Sequence, residues 1–262
     1  MTDVLTQFDP AYVLAGFVVG AFIGITGVGG GSLMTPLLII FGVHPAMAVG
    51  TDLFYAAATK SFGTLVHGFN QSVDWTIVRR LAMGSIPGAA LTLVLLSLLS
   101  IGSVASQLLI TRVLGVALLV TAATIILRRP MAAMFAPYAG MLAPQKVARL
   151  TIASGVLLGV LVSISSVGAG AIGASLLVLL YPRHPMARIV GTDIAHAVPL
   201  ALIAGLGHLA VGTIDWMLLA VLLLGSLPGI LIGSYLAARL PDRAVRITLA
   251  GALVMACARM LF

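Results

Sequence analysis

Ten apolar segments take up most of this chain and decide what it can fold into: 12–27, 32–43, 46–69, 76–99 and 107–127, then 150–165, 171–181, 187–211, 216–238 and 244–261. They hold almost no charge and much glycine, which predicts membrane-spanning α-helices rather than the ten-residue alternation of an outer-membrane barrel. With 61% hydrophobic and 8% charged residues and a mean hydropathy of +1.19, no water-soluble core can hide this much apolar surface. The net charge of +7 would point to nucleic acid in a soluble protein. Here most Lys and Arg gather in a few loops, which is the positive-inside pattern of a membrane protein and not a nucleic-acid surface. The first ten residues carry Asp3 and Asp9 and no basic residue, so the start of a cleaved signal peptide is missing and the first segment is expected to stay. Cys257 is the only cysteine, which leaves no intrachain disulfide and no thiolate cluster, and it reads as a small packing residue.

Two pairs of segments do not look like ordinary spans. The run Gly27-Val28-Gly29-Gly30-Gly31-Ser32 divides the first pair, and Ser166-Val167-Gly168-Ala169-Gly170-Ala171 divides its counterpart in the second half. Arms of sixteen and twelve residues run roughly 24 and 18 Å, against a hydrocarbon core of about 30 Å. Interrupted hydrophobic segments at corresponding places in two halves point to a substrate site at the bilayer midplane.

The halves match term by term. Gly16 and Gly20 pair with Gly155 and Gly159, His44-Pro45 with His184-Pro185, and Gly50-Thr51-Asp52 with Gly191-Thr192-Asp193. His67 pairs with His208, Asp74-Trp75 with Asp215-Trp216, and Gly84-Ser85-Ile86-Pro87-Gly88 with Gly225-Ser226-Leu227-Pro228-Gly229. Such identities held in register mark a duplication. Residues 1–127 form the first repeat, 128–149 a connection and 150–262 the second repeat. Arg128, Arg129, Lys146 and Arg149 make that connection cytoplasmic. Counting outward puts the Asp74 turn inside, with Arg79 and Arg80, and the Asp215 turn outside. Both termini are then on the outer side of the membrane, in a multi-pass protein. The repeats are inverted, which requires an odd number of crossings per half. Five short crossings satisfy this, as do three long helices plus a hairpin that enters and leaves on one side. The hairpin is the better reading, because its arms are short and its tip is glycine-rich. The expected fold is an all-α integral membrane protein of two inverted-topology repeats, each with a glycine-tipped short helical hairpin and three long transmembrane helices.

The helices starting near Ser32 and Ala171 would aim their N-termini at the midplane, where free N–H groups and a partial positive charge suit an anion. Gly29, Gly30, Gly31, Ser32, Gly168, Ala169, Gly170 and Ala171 are therefore candidates for substrate binding, although small residues at these places also serve helix packing. Asp52 and Asp193 are intramembrane carboxylates at equivalent positions, suited to carry a coupling proton or to cap a broken helix. Thr51 and Thr192 place hydroxyls beside them, either for a substrate oxygen or bonded back to their own helices. Lys60 is matched by Ala201 and so breaks the symmetry; it attracts an anion, or it snorkels or pairs structurally. His196 lies one turn beyond Asp193 and can share a proton with it. His67 and His208 read as hydrogen-bonded residues at helix ends, Pro87-Gly88 and Pro228-Gly229 as kinks, and Trp75 and Trp216 as interface anchors. No metal-binding cluster, nucleotide loop or nucleophile and base set is visible. The chain is expected to be no enzyme and to need no cofactor.

The glycine run after the first helix, Pro45 with Ala48-Val49-Gly50-Thr51, the second run Val167-Gly168-Ala169-Gly170 with Gly191-Thr192, and the Gly-Ser-x-Pro-Gly segments resemble the TauE/SafE family of sulfite exporters over nearly the whole chain. The resemblance implies a secondary carrier of sulfur-containing anions such as sulfite, sulfoacetate or other organosulfonates, moving them outward across the inner membrane. The chain departs from the family's pattern at Ala169, which stands where the tidy run has Gly, and in the Asp that follows Gly-Thr in both halves. Its partners are then a small anion, the lipid bilayer and a coupling H⁺. The same parts fit an anion channel without a coupled step.

Overall fold

The computed structural model describes residues 10–26, 31–69, 73–98, 104–135, 143–237 and 242–261. Among them are ten helices: α1 (Pro10–Thr26), α2 (Gly31–Ile40), α3 (Pro45–Phe69), α4 (Trp75–Leu98), α5 (Val104–Phe135), α6 (Pro144–Ser165), α7 (Ala171–Leu180), α8 (Met186–Ala210), α9 (Trp216–Ala237) and α10 (Asp242–Leu261). They follow the ten apolar segments of the sequence. Trp75–Leu98, Gln107–Leu127, Pro144–Ser165, Met186–Ala210 and Trp216–Gly233 are long and apolar enough to cross a membrane. Their outward faces carry residues such as Leu98 and Leu231, 76% and 74% exposed, which water would not tolerate in such number but lipid does.

Two boundaries differ from the sequence expectation. The 128–149 connection is largely helical, because α5 runs on through Pro130 to Phe135 and α6 begins at Pro144. Proline suits the first turn of a helix, where its missing N–H has no intrahelical partner to lose, and Lys146 and Arg149 sit exposed on that turn rather than in a loop. In consequence the helix before the second glycine run has 22 residues and is not a short arm, whereas α1 has 17 and the helices after the two runs, α2 and α7, have 10 each.

Glycine fixes how the long helices meet. A Cβ on Gly84 would fall 2.0 Å from the Ile152 carbonyl oxygen, and one on Gly155 would fall 2.2 Å from that of Leu81. Farther along, Gly88 lies on Val156 and Gly159 on Ser85, so α4 and α6 run parallel, backbone against backbone. The same clasp joins α1 to α9: Gly225 lies on Val13, Gly16 on Leu222, Gly20 on Ser226 and Gly229 on Phe17. With lipid outside there is no hydrophobic drive between helices, so the van der Waals contact allowed by missing side chains holds these pairs together. At the centre α3 crosses α8. Gly50, near the start of α3, abuts the carbonyl oxygen of Thr213, just beyond the end of α8. One apolar core unites α3, α4, α6, α7 and α8 around Leu53, Leu81, Leu158, Leu177 and Leu200, and a second unites α1, α2, α3 and α9 around Val19, Met34, Tyr55 and Leu222.

Candidate functional site

The break between α6 and α7 is built from backbone conformations that few residues adopt. Ser166 ends α6 in the left-handed region at φ 58°, and Gly168 and Gly170 stand at φ 125° and 134°. A Cβ at either glycine is strained, which accounts for the glycines here. Ser166 N–H donates to the Val162 carbonyl at 2.8 Å, and Gly173 N–H to that of Gly168 at 3.0 Å, so the chain turns within five residues and starts α7. The whole tip, 165–175, is buried.

Lys60 reaches this tip from the other half of the chain. Its Nζ donates to the Ala169 carbonyl oxygen at 2.8 Å, and the residue is 6% exposed, so the side chain stays inside the protein. The ammonium acts electrostatically on Asp193 and on Asp52, and it is felt at His196. All three are buried. On α3, Asp52 Oδ2 accepts a short hydrogen bond from the Thr35 hydroxyl of α2, and Ser166 of the tip lies close to the same carboxylate. On α8, Asp193 Oδ1 packs so tightly on α7 that a Cβ on Gly173 would fall 2.0 Å from it. One turn on, His196 Nε2 shares a hydrogen bond of 2.8 Å with Ser85 Oγ of α4. The equivalent position on α3 is Tyr55, which lies beside Ser226, the counterpart of Ser85. The central polar cluster thus joins Thr35, Asp52 and Lys60 of one half to Ser166, Ala169, Asp193 and His196 of the other.

Thr51 and Thr192 accept hydrogen bonds from the two Asp-Trp turns, and Thr192 is also bonded back to its own helix. Thr51 Oγ1 accepts the Asp215 N–H at 3.1 Å, and Thr192 Oγ1 accepts the Asp74 N–H at 2.9 Å while donating its own proton to the Arg188 carbonyl at 2.6 Å. Thr192 has no proton left for a substrate. Each aspartate then caps the helix it precedes: Asp215 Oδ1 accepts Leu218 N–H, and Asp74 Oδ1 accepts Thr76 and Ile77 N–H. Among the described residues Asp74 alone of the two adds an ion pair, with Arg188 Nη2 at 3.0 Å, and His184 Nε2 lies 3.5 Å from the same carboxylate oxygen. Partial burial works against its charge, but the Ile77 N–H, the Arg188 guanidinium, His184 and the Thr76 N–H more than offset this. Its pKa lies below the ordinary 3.8.

Gly29 and Gly30 lie outside the described residues, as does the His67 side chain; Gly31 opens α2, and Ser32 is buried. His208 is buried and bonds the Ser163 carbonyl through Nε2 at 2.9 Å and Thr213 Oγ1 through Nδ1 at 3.0 Å, fastening α8 to the end of α6. Thr35, Tyr55, Ser85 and Ser166 join the cluster without having been singled out from the sequence. The repeat itself carried the signal for two of them, since His196 matches Tyr55, and Ser85 matches Ser226, at the spacing that matches the two aspartates.

Comparison with known proteins adds to this geometry. A family model described as sulfite exporter TauE/SafE matches residues 12–260. The chain is similar to the probable membrane transporter protein YjnA of Bacillus subtilis strain 168, with 40% identity over 93% of this chain and 96% of that protein. It is also similar to a probable membrane transporter protein of Xylella fastidiosa strain Temecula1, with 34% identity over 42% of this chain and 41% of that one. No solved structure matches.

Proposed function

The chain belongs to the sulfite exporter TauE/SafE family, and from that premise we propose that it is a secondary transporter of sulfur-containing anions, sulfite or organosulfonates, exporting them across the inner membrane by alternating access. The observation that carries the reading is the bond from Lys60 Nζ to the Ala169 carbonyl. It sets a buried cation of one half against the broken tip of the other, at the start of α7, whose N–H groups are suited to an anion. The substrate binds beside Lys60, against the Gly168–Ala171 tip, and Gly29 to Ser32 supply the matching tip of the first half.

Inverted topology is supported by the exchanged clasps, α1 on α9 and α4 on α6, and by α3 starting where α8 ends. Rocking one half on the other then exposes the tips to each side in turn. Thr51 and Thr192, which tie each half to the opposite turn, mark where this motion bends the molecule. Asp52, Asp193 and His196 hold the coupling proton. Basic residues at the Asp74 end, including Arg80, Arg188 and Lys146, support a cytoplasmic position for that end and periplasmic termini.

Flux in proteoliposomes tests this with sulfite, methanesulfonate, sulfoacetate, sulfate and chloride, for wild type and Lys60→Gln. The expected result is saturable movement of sulfite or a sulfonate, with KM raised at least about tenfold, or roughly 1.4 kcal/mol of binding, in Lys60→Gln. Rapid, unsaturated chloride flux indifferent to Lys60 would identify a channel instead.

A further inference from the structure

We propose that the site carries a singly charged anion together with one proton, held on the Asp52–Asp193 carboxylate pair with Lys60 as the fixed countercharge, so that each transport cycle is electroneutral. This rests on the reading of the chain as an anion transporter and specifies what that transporter couples to; an inward proton gradient then opposes export, which runs down the anion's own outward concentration gradient.

The argument is an inventory of buried charge. Asp52, Asp193 and Lys60 are 0%, 2% and 6% exposed, and the Lys60 ammonium acts on both carboxylates. With all three ionised the empty site carries one net negative charge. An anion arriving alone doubles it, in a place where water is scarce and uncompensated charge is costly. If one carboxylate takes a proton as the anion binds, the site returns to the charge it had when empty, and the moving parts cross the membrane with the same charge loaded or empty. The step balances simply: carboxylate and H⁺ give the carboxylic acid on loading, the acid gives them back on release, and no bond to the anion is made. Lys60 stays protonated throughout.

Asp52 is shaped for the proton. Its Oδ2 takes the Thr35 hydroxyl, and its Oδ1 has no hydrogen-bond partner among the described residues. Thr35 from α2, Tyr55 from α3 and Ser166 from the tip lie around Asp52, Lys60 acts on both carboxylates, and His196, one turn beyond Asp193 on α8, is bonded to Ser85 of α4. The inventory also selects by charge. A dianion needs a proton on both carboxylates before the site regains its resting charge, so monoanions are carried at neutral pH and dianions only in acid.

Labelled methanesulfonate in proteoliposomes of the full chain decides the matter. A tenfold proton gradient at zero potential is expected to accumulate it tenfold on the alkaline side. A tenfold potassium gradient with valinomycin at equal pH is expected to leave its distribution unchanged. In Asp52→Asn or Asp193→Asn the anion alone brings the loaded site to the single negative charge that the loaded wild-type site reaches only with a proton, so both responses reverse: accumulation follows the potential tenfold and ignores the pH gradient. The wild-type pair of gradients suffices if neither variant folds. Wild-type accumulation that follows potential and not pH overturns the coupling and leaves the anion carrier standing. No saturable flux of methanesulfonate or sulfite under either gradient overturns the transporter reading beneath it.

Discussion

The residues that matter most are those whose chemistry contradicts their surroundings. Lys60 was legible because it is a lone cation within a long apolar segment, and Asp52 and Asp193 because they recur at one register of a repeat. Their partners were not legible. Nothing in the linear pattern says that Lys60 turns to the Ala169 carbonyl, 109 residues on, rather than to the cytoplasm, since that depends on how the halves dock. Glycine shows the same division. The sequence marks Gly84 and Gly251 alike as small residues in apolar helices, yet a Cβ on Gly84 would meet the Ile152 carbonyl at 2.0 Å and one on Gly251 would meet nothing within 4 Å. Gly84→Ala is therefore expected to destabilise the detergent-solubilised protein by about 1–3 kcal/mol, because backbone must part from backbone. Gly251→Ala is expected to be neutral or to stabilise by up to about 1 kcal/mol, as a helical Gly→Ala change does. Thermal unfolding of the two variants in the same detergent checks the contrast, and equal shifts would break the account of the α4–α6 clasp.

All ten elements could be read from apolar runs and breakers, and their ends only in part. The start of α6 was missed because Lys146 and Arg149 look like loop residues, whereas an exposed first turn accommodates them easily. The start of α4 is better defined, by Asp74. Its cap and its contacts with Arg188 and His184 tie the beginning of α4 to the beginning of α8. Asp74→Ala is expected to cost about 1 kcal/mol through the lost cap. The pH dependence has a definite sign. The pKa of Asp74 is depressed in the folded state, so its contribution is complete above the unfolded value near 3.8 and is lost as pH falls through the lower folded value. The difference in melting temperature between wild type and Asp74→Ala should be constant from pH 7 to about 5 and shrink below about 4. A difference that grew on acidification would contradict the assignment.

At the scale of the whole molecule, the duplication gave away more than any single motif. It announced two halves with matched breaks, and the two clasps, α1 with α9 and α4 with α6, repeat the same contacts with the partners exchanged. The departures from symmetry at Lys60 against Ala201 and His196 against Tyr55 stand in the sequence as well, whereas the ion pair at the Asp74 turn, which Asp215 does not share among the described residues, is seen only in the structure. The central claim is that the anion binds beside Lys60, against the tip of the second half. Substrate protection of one cysteine tests it most directly. Ala169→Cys in a Cys257→Ser background, chosen so that flux is retained, is treated with a small thiol reagent in proteoliposomes with and without saturating sulfite or methanesulfonate. The account predicts that the transported anion slows labelling at position 169 at least about tenfold, and that a control cysteine at the lipid-facing Leu231 is unaffected. Labelling at position 169 that runs at the same rate with and without an anion that the variant still transports would place the substrate elsewhere.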